Sequence, residues 1–210
     1  KLMTNLKHKR LPVGIQSFQE IREDGYVYVD KTDLVWYMVN RGDKYNYLSR
    51  PRRFGKSVLI DTLQMYLEGR KELFEGLKIK ELEHDWVKYP VIRLDMSEGG
   101  DTSFGIESYL NNKFKKYEKL YDVTLSKEDS LTVRFSNIIE AAYEKTGQRV
   151  AVLIDEYDSP LQHSWNTSEH IGCTNVYRNV FAVLKSATKY EKFVFITGIT
   201  KFTQISLFSV

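Results

Sequence analysis

Cysteine is nearly absent from this chain: Cys173 stands alone among 210 residues. One thiol cannot build an internal disulfide framework, so a stapled secreted scaffold is excluded and a reducing, cytoplasmic setting is expected. Four prolines and twelve glycines are too few for a collagen-like or low-complexity chain. No apolar run approaches the roughly 18 residues that a membrane span requires. The polar, basic first residues do not read as a secretory signal, so no membrane partner is expected. A broad excess of positive charge is also missing. The formal net charge is +3, but residues 1–10 hold Lys1, Lys7, Lys9 and Arg10 and no acid. The remaining body is nearly neutral and lacks the basic field of a nucleic-acid binder. The start reads as a solvated arm. What is present is 42% hydrophobic, 13% aromatic and 28% charged, the composition of one globular domain of the α/β type. The chain starts at Lys1 rather than at a methionine and is read as a fragment of a longer protein.

Short apolar runs alternate with amphipathic stretches. Tyr45–Ser49 reads as a buried strand, followed by a helix over Gly55–Glu68 with Val58, Leu59, Leu63, Tyr66 and Leu67 toward one side. Val91–Met96 reads as a second strand, started by Pro90 and stopped by Gly99-Gly100. Ile106, Leu110, Phe114 and Tyr117 mark one helix; Leu131, Phe135, Ile138, Ile139 and Ala142 mark another, capped by Gly147. Val150–Ile154 is purely aliphatic, as expected of a strand covered on both faces. Val176, Val180, Val183, Leu184 and Ala187 fall on one helical face before a fourth strand at Phe193–Thr197. Strands separated by long helical crossovers imply a mainly parallel sheet between helical layers. Residues 1–44, with a candidate hairpin around Gly25, read as an N-terminal extension packing on a core of residues 45–210.

The strongest local signal is Arg50-Pro51-Arg52-Arg53-Phe54-Gly55-Lys56-Ser57, between the first strand and its helix. Phosphate needs a concave run of backbone N–H groups, a helix N-terminus, a lysine, and a hydroxyl for the metal. Gly55-Lys56-Ser57 supplies the last three in P-loop (Walker A) order. Lys56 would reach the β and γ phosphates, Ser57 would bind Mg²⁺, and Arg52 to Val58 would contact the nucleotide. The glycine that the pattern places five residues before Gly55 is replaced by Arg50. About a hundred residues on, Val150-Ala151-Val152-Leu153-Ile154 ends in Asp155-Glu156, the Walker B arrangement. Asp155 would hold the Mg²⁺ shell and Glu156 would polarise an attacking water. Thr197, at the end of the fourth strand, is either a polar sensor residue with a catalytic role, with Thr200 in reserve, or a threonine satisfying a strand-end backbone group.

Taken together, Tyr28-Val29-Asp30-Lys31-Thr32, the Leu48–Ser57 run, Leu153-Ile154-Asp155-Glu156-Tyr157-Asp158 and Ile196-Thr197-Gly198-Ile199 resemble the bacterial AAA-ATPase-like family. The similarity extends from Leu11-Pro12-Val13-Gly14-Ile15 to Leu207-Phe208-Ser209. It implies a P-loop NTPase three-layer sandwich of the additional-strand, AAA-like type. It also implies that Arg50 in the glycine position is a family habit, and that a PD-(D/E)XK nuclease-like domain often comes after. A fifth strand, a helical lid and that nuclease domain are expected to be missing from this chain, as by C-terminal truncation. Turnover is therefore expected in the full-length protein and weak or absent in the fragment. Arg52 and Arg53 lie where phosphate is expected, but loop position alone does not make either an arginine finger.

Other candidates are weaker. His163, His170 and Cys173 share a segment without zinc spacing and read as loop residues. Tyr28, Asp30 and Lys31 lie either near a nucleotide base or around the start of a helix at Thr32, with Asp30 as its cap and Leu34, Val35 and Met38 inside it; the cap is favoured. Asp95, Ser97 and Asp158 read as turn residues or as supports of the site. The expected function is Mg²⁺-dependent ATP binding and hydrolysis by the core of a larger protein. The alternatives are a nucleotide-sensing module without turnover and, lower, a small-molecule kinase, which the glutamate after Asp155 disfavours. A homo-oligomer is an expected partner arrangement, and nucleic acid is expected only through a C-terminal region.

Overall fold

Val150–Asp155 is buried along its whole length and lies inside a sheet, as its aliphatic composition demands. The computed structural model describes residues 9–124, 126 and 129–199. Four strands, β1 (Tyr45–Ser49), β2 (Val91–Asp95), β3 (Val150–Asp155) and β4 (Glu191–Gly198), form one parallel sheet in the order β1-β4-β3-β2. Helices α1 (Phe18–Glu23) and α2 (Thr32–Arg41) precede β1. Crossovers carry α3 (Lys56–Leu67) and α4 (Ile79–Leu82), then α5 (Ser103–Tyr121) and α6 (Leu131–Thr146), then α7 (Ser159–His163), α8 (His170–Phe181) and α9 (Val183–Ser186). β4 is inserted between the strand leading to Lys56 and the strand ending in Asp155. This is the α/β, three-layer, P-loop NTPase-like architecture with an additional strand.

The period-2 alternation of strand side chains sorts the core into two clusters. Ile92, Leu94, Val150, Val152, Ile154, Val194 and Ile196 meet the inner faces of α5, α6 and α8. Val91, Ala151, Leu153, Phe193 and Phe195 point the other way, onto Ile60, Leu63 and Leu67 of α3. Phe18 of α1 and Val35 and Val39 of α2 join this second cluster, so residues before β1 share the core of the sheet. Thr102 and Ser130 accept backbone N–H groups in the first turns of α5 and α6. Gly147 closes α6 in left-handed conformation at φ 67°, as its position suggests.

Several expectations change. No hairpin forms around Gly25: its first half is α1, whose end turns back through Asp24 N–H to Glu20 and Tyr26 N–H to Ile21. The turn residue does have φ +68°, which glycine permits, but residues 26–31 after it join no strand, and Val27 N–H bonds the Arg10 carbonyl instead. β1 is half-buried, because it borders the sheet among the described residues. Val91–Met96 loses its last residue, since Asp95 Oδ1 accepts from Ser97 N–H and Oγ and draws the chain into a 3-10 turn at Met96–Gly99. The helix expected through Val176–Ala187 is two helices that meet at Ala182. The α3 stripe is wider than its apolar spacing suggests: Ile60 and Met65 are buried as well, because α1 and α2 cover a second face of that helix.

Candidate functional site

In a parallel sheet every strand delivers its carboxyl end to one edge, where the crossovers begin. β1, β3 and β4 therefore bring Ser49, Asp155 and Gly198 together, with Ser49 in register beside Gly198 and Ile154 beside Ile196. The loop leaving β1 carries two left-handed residues, Arg53 at φ 66° and Gly55 at φ 75°, before α3 starts at Lys56. Gly55 occupies the N-cap position of α3 with no side chain to fill it. The N–H groups of the first turn have no intrahelical partner, and residues Gly55, Lys56, Ser57 and Val58 line a cavity of about 440 Å³. Arg52, Arg53 and Glu156 line the same cavity.

Lys56 is 4% exposed, an unusual burial for an ammonium group. Its Nζ donates to the carbonyls of Arg50 and Pro51 at 3.0 and 3.2 Å and stands 3.4 Å from Glu156 Oε1. The loop thus wraps its own lysine and holds it against the acid. Asp155 is 1% exposed; its Oδ1 accepts from Thr197 Oγ1 at 2.5 Å and from Glu156 N–H at 3.0 Å. Thr197 Oγ1 in turn accepts from Glu156 N–H at 3.2 Å. Glu156 takes φ +47°, a left-handed conformation that is costly for a residue with a Cβ. That turn swings its carboxylate off the strand direction, while Tyr157 N–H bonds Thr197 carbonyl at 2.8 Å. A serine hydroxyl and a buried carboxylate are hard oxygen donors, a set suited to Mg²⁺.

A family model described as Predicted AAA-ATPase matches residues 12–208. The chain belongs to this family. Its similarity to the uncharacterized protein in the vnfD 5' region of Azotobacter chroococcum mcd 1 is 35% identity over 208 residues, 97% of this chain. The chain spans 40% of that relative's length.

Within this AAA-ATPase-like chain, the sequence-selected residues divide by place. Arg52, Arg53, Gly55, Lys56, Ser57, Val58 and Glu156 surround the cavity, whereas Phe54, Asp155 and Thr197 are not part of its lining. Phe54 is 68% exposed on the loop, and Asp155 and Thr197 are buried beside Glu156. Thr200 lies outside the described residues. The cap expected of Asp30 is displaced by one residue: Lys31 holds the N-cap position of α2 without a side-chain hydrogen bond, while Asp30 Oδ1 accepts from Thr32 N–H and Oγ1, and its Oδ2 accepts from Lys78 N–H ahead of α4. Tyr28, Asp30 and Lys31 do not line the cavity, and Tyr28 packs edge-on against Phe18. The loop reading of His163, His170 and Cys173 is corrected to helix ends and helix interior: His163 closes α7, His170 opens α8 and Cys173 is buried within α8. Among the described residues no cluster of three His, Cys, Asp or Glu could hold a metal ion. No helix among them is long and apolar enough to cross a membrane.

Gly14, Ile15 and Gln16 form the remaining wall of the cavity; Gly14 and Ile15 lie in the run where the family resemblance begins, but nothing in the sequence assigned any of the three to the site. They carry no charge and match no phosphate motif. Their one local signal is the Gly14 turn, at φ +79°, and their distance of some forty residues from Lys56 hides them from any spacing rule.

Proposed function

We propose that this chain is the Mg²⁺-dependent, ATP-binding core of a larger protein and that it carries the groups for ATP hydrolysis. The observation that supports this is a single cavity bounded by the uncapped N-terminal turn of α3, Lys56, Ser57 and Glu156. The phosphate chain would accept hydrogen bonds from the first-turn N–H groups and be favoured by the helix dipole. Lys56 would exchange the Arg50 and Pro51 carbonyls for phosphate oxygens, a stronger charge-assisted contact. Arg52 and Arg53, exposed at the rim, would add positive charge. The uncharged wall of Gly14, Ile15 and Gln16 would face the base. Ser57 and Asp155 would hold Mg²⁺, which when bound would neutralise phosphate charge. Glu156 would accept the proton of the attacking water. Its backbone N–H, held by Asp155 and Thr197, would fix where the carboxylate stands.

A second reading, nucleotide sensing without turnover, is favoured by the 3.4 Å pairing of Lys56 with Glu156. A base held by a lysine is less available to water. The cytoplasmic setting, homo-oligomer formation and nucleic-acid contact through a C-terminal region are further proposals at the scale of the longer relative. ATP titration with and without Mg²⁺ tests the site. Lys56→Ala should weaken binding about 10- to 100-fold, the loss of one to two charge-assisted contacts. Equal affinity in the variant would remove the phosphate assignment. Glu156→Gln should keep ATP binding and slow phosphate release about 100-fold or more. If the wild-type and variant proteins both release phosphate only at background rate, the sensing reading replaces hydrolysis.

A further inference from the structure

Asp158 is a buried carboxylate that does none of the work its position suggests. It is 1% exposed and precedes α7 as its N-cap residue, yet its side chain makes no cap hydrogen bond. It reaches across to the turn after β4 instead. Ile199 N–H donates to both carboxylate oxygens, at 3.1 Å to Oδ1 and 2.9 Å to Oδ2, and Gln162 Nε2 donates to Oδ2 at 2.7 Å. A Cβ on Gly198 would stand 2.7 Å from Asp158 Oδ1 and 2.9 Å from the Tyr47 hydroxyl. Glycine is required there by crowding rather than by backbone angle. Burial first, and the Asp158 charge second, push the Tyr47 hydroxyl up to about 12.

The same turn is tied on its other side to the phosphate loop. Gly198 carbonyl accepts from Arg50 N–H at 3.2 Å, and Ile199 carbonyl accepts from Ser49 Oγ at 2.9 Å. Arg50 carbonyl is one of the two that hold Lys56 Nζ. A continuous set of hydrogen bonds therefore runs from Lys56 through Arg50 and Gly198–Ile199 to Asp158, three residues beyond Asp155. Resting on the nucleotide reading above, we infer that Asp158, with the Gly198–Ile199 turn it grips, is a positioning residue that sets the acid-bearing end of β3 against the phosphate loop. Its effect is felt where the two halves must act on one ligand: Ser57 comes from the loop, Asp155 and Glu156 from β3. Phosphate contact alone needs only the loop and the start of α3.

The readout is the gain in ATP affinity on adding Mg²⁺, measured by titration of the full chain, with thermal melting alongside. Asp158→Asn retains the shape but turns an amide donor toward Ile199 N–H or Gln162. Gly198→Ala is the second variant and drives a methyl into the same joint from the other side. Both should leave Mg²⁺-free ATP affinity within about threefold of wild type. Both should cut the Mg²⁺-dependent gain by about tenfold, the usual cost of losing a group that orients metal-binding residues. A merely structural role would lower the melting temperature and weaken both affinities together; that result, or an undiminished Mg²⁺ gain, overturns the inference. If wild-type protein and Lys56→Ala bind ATP equally, the nucleotide reading fails and this inference falls with it. Binding lost in Lys56→Ala but unaltered in both joint variants sinks the inference alone.

Discussion

Glu191 opens β4 fully buried, at the end of the sheet opposite the candidate site. Tyr45 hydroxyl donates to its Oε2 at 2.8 Å, while Oε1 has no hydrogen-bond partner among the described residues. Burial raises its carboxyl from the usual 4.5 to about 7, against smaller lowering contributions from Tyr45 and the Lys44 charge. The folded state therefore binds more protons than the unfolded state between these two values. Stability falls as pH rises through that window and levels off above it. Glu191→Gln, which cannot ionise, should flatten the slope in thermal melts between pH 5 and 8, and should gain about 2 kcal/mol relative to wild type at the alkaline end. A slope that persists in the variant would assign the pH dependence elsewhere. Nothing in the residue string around Glu191 distinguishes it from a solvated strand-end acid. Its burial comes from β1 and α9, which supply Tyr45 and the Leu184 carbonyl that shares the tyrosine hydroxyl. Lys56, by contrast, was legible because its neighbours Gly55 and Ser57 are adjacent in the chain.

At the scale of elements, α5 and α6 are joined by a charged pair inside an apolar layer. Arg134 places Nε 2.6 Å from Glu118 Oε1 and Nη2 2.9 Å from Oε2, with Glu118 3% exposed. Its Nη1 also bonds Asn111. The two-point geometry is the one guanidinium and carboxylate favour. Glu118→Ala strands the arginine charge in the interior and should cost about 3–5 kcal/mol in denaturant unfolding. The double variant Glu118→Leu, Arg134→Leu should recover most of that loss, since removing both charges avoids the desolvation penalty. The outer edge of β2 shows a second role of α5: Tyr117 and Tyr109 hydroxyls accept from Arg93 and Asp95 N–H, each at 2.7 Å. An open edge strand is thereby closed to another strand. The spacing of Ile106, Leu110, Phe114 and Tyr117 made α5 legible as a helix, but Tyr117 read only as part of its apolar face and Tyr109 stood out in no pattern. Their hydroxyl partners are backbone groups of a distant strand, which no periodicity encodes.

At the scale of the molecule, residues before β1 act as part of the core. Asp61 of α3 accepts from Phe18 N–H at 2.6 Å and from Arg93 of β2 at 2.7 Å, so α1, α3 and β2 share one carboxylate. Arg93 also donates to Gln64. A chain lacking residues 1–44 would expose Ile60, Leu63 and Tyr66, which now meet Phe18, Val35 and Val39. It should lose the single cooperative unfolding transition and bind a hydrophobic dye; a sharp wild-type-like transition would show that residues 45–210 fold alone. The amino-acid order by itself determined the parallel α/β sheet, the helix that begins at Lys56, and the acid pair that ends β3. Strand periodicity, a glycine before a helix and carboxylates after an aliphatic run are local physics carried by adjacent residues. Only the tertiary structure decided which surfaces close the site. It brought Gly14–Gln16 to the cavity, turned Glu156 toward Lys56, and let Asp158 hold the turn after β4. Each of these depends on parallel strands delivering their ends to one edge, where residues far apart in the chain become neighbours.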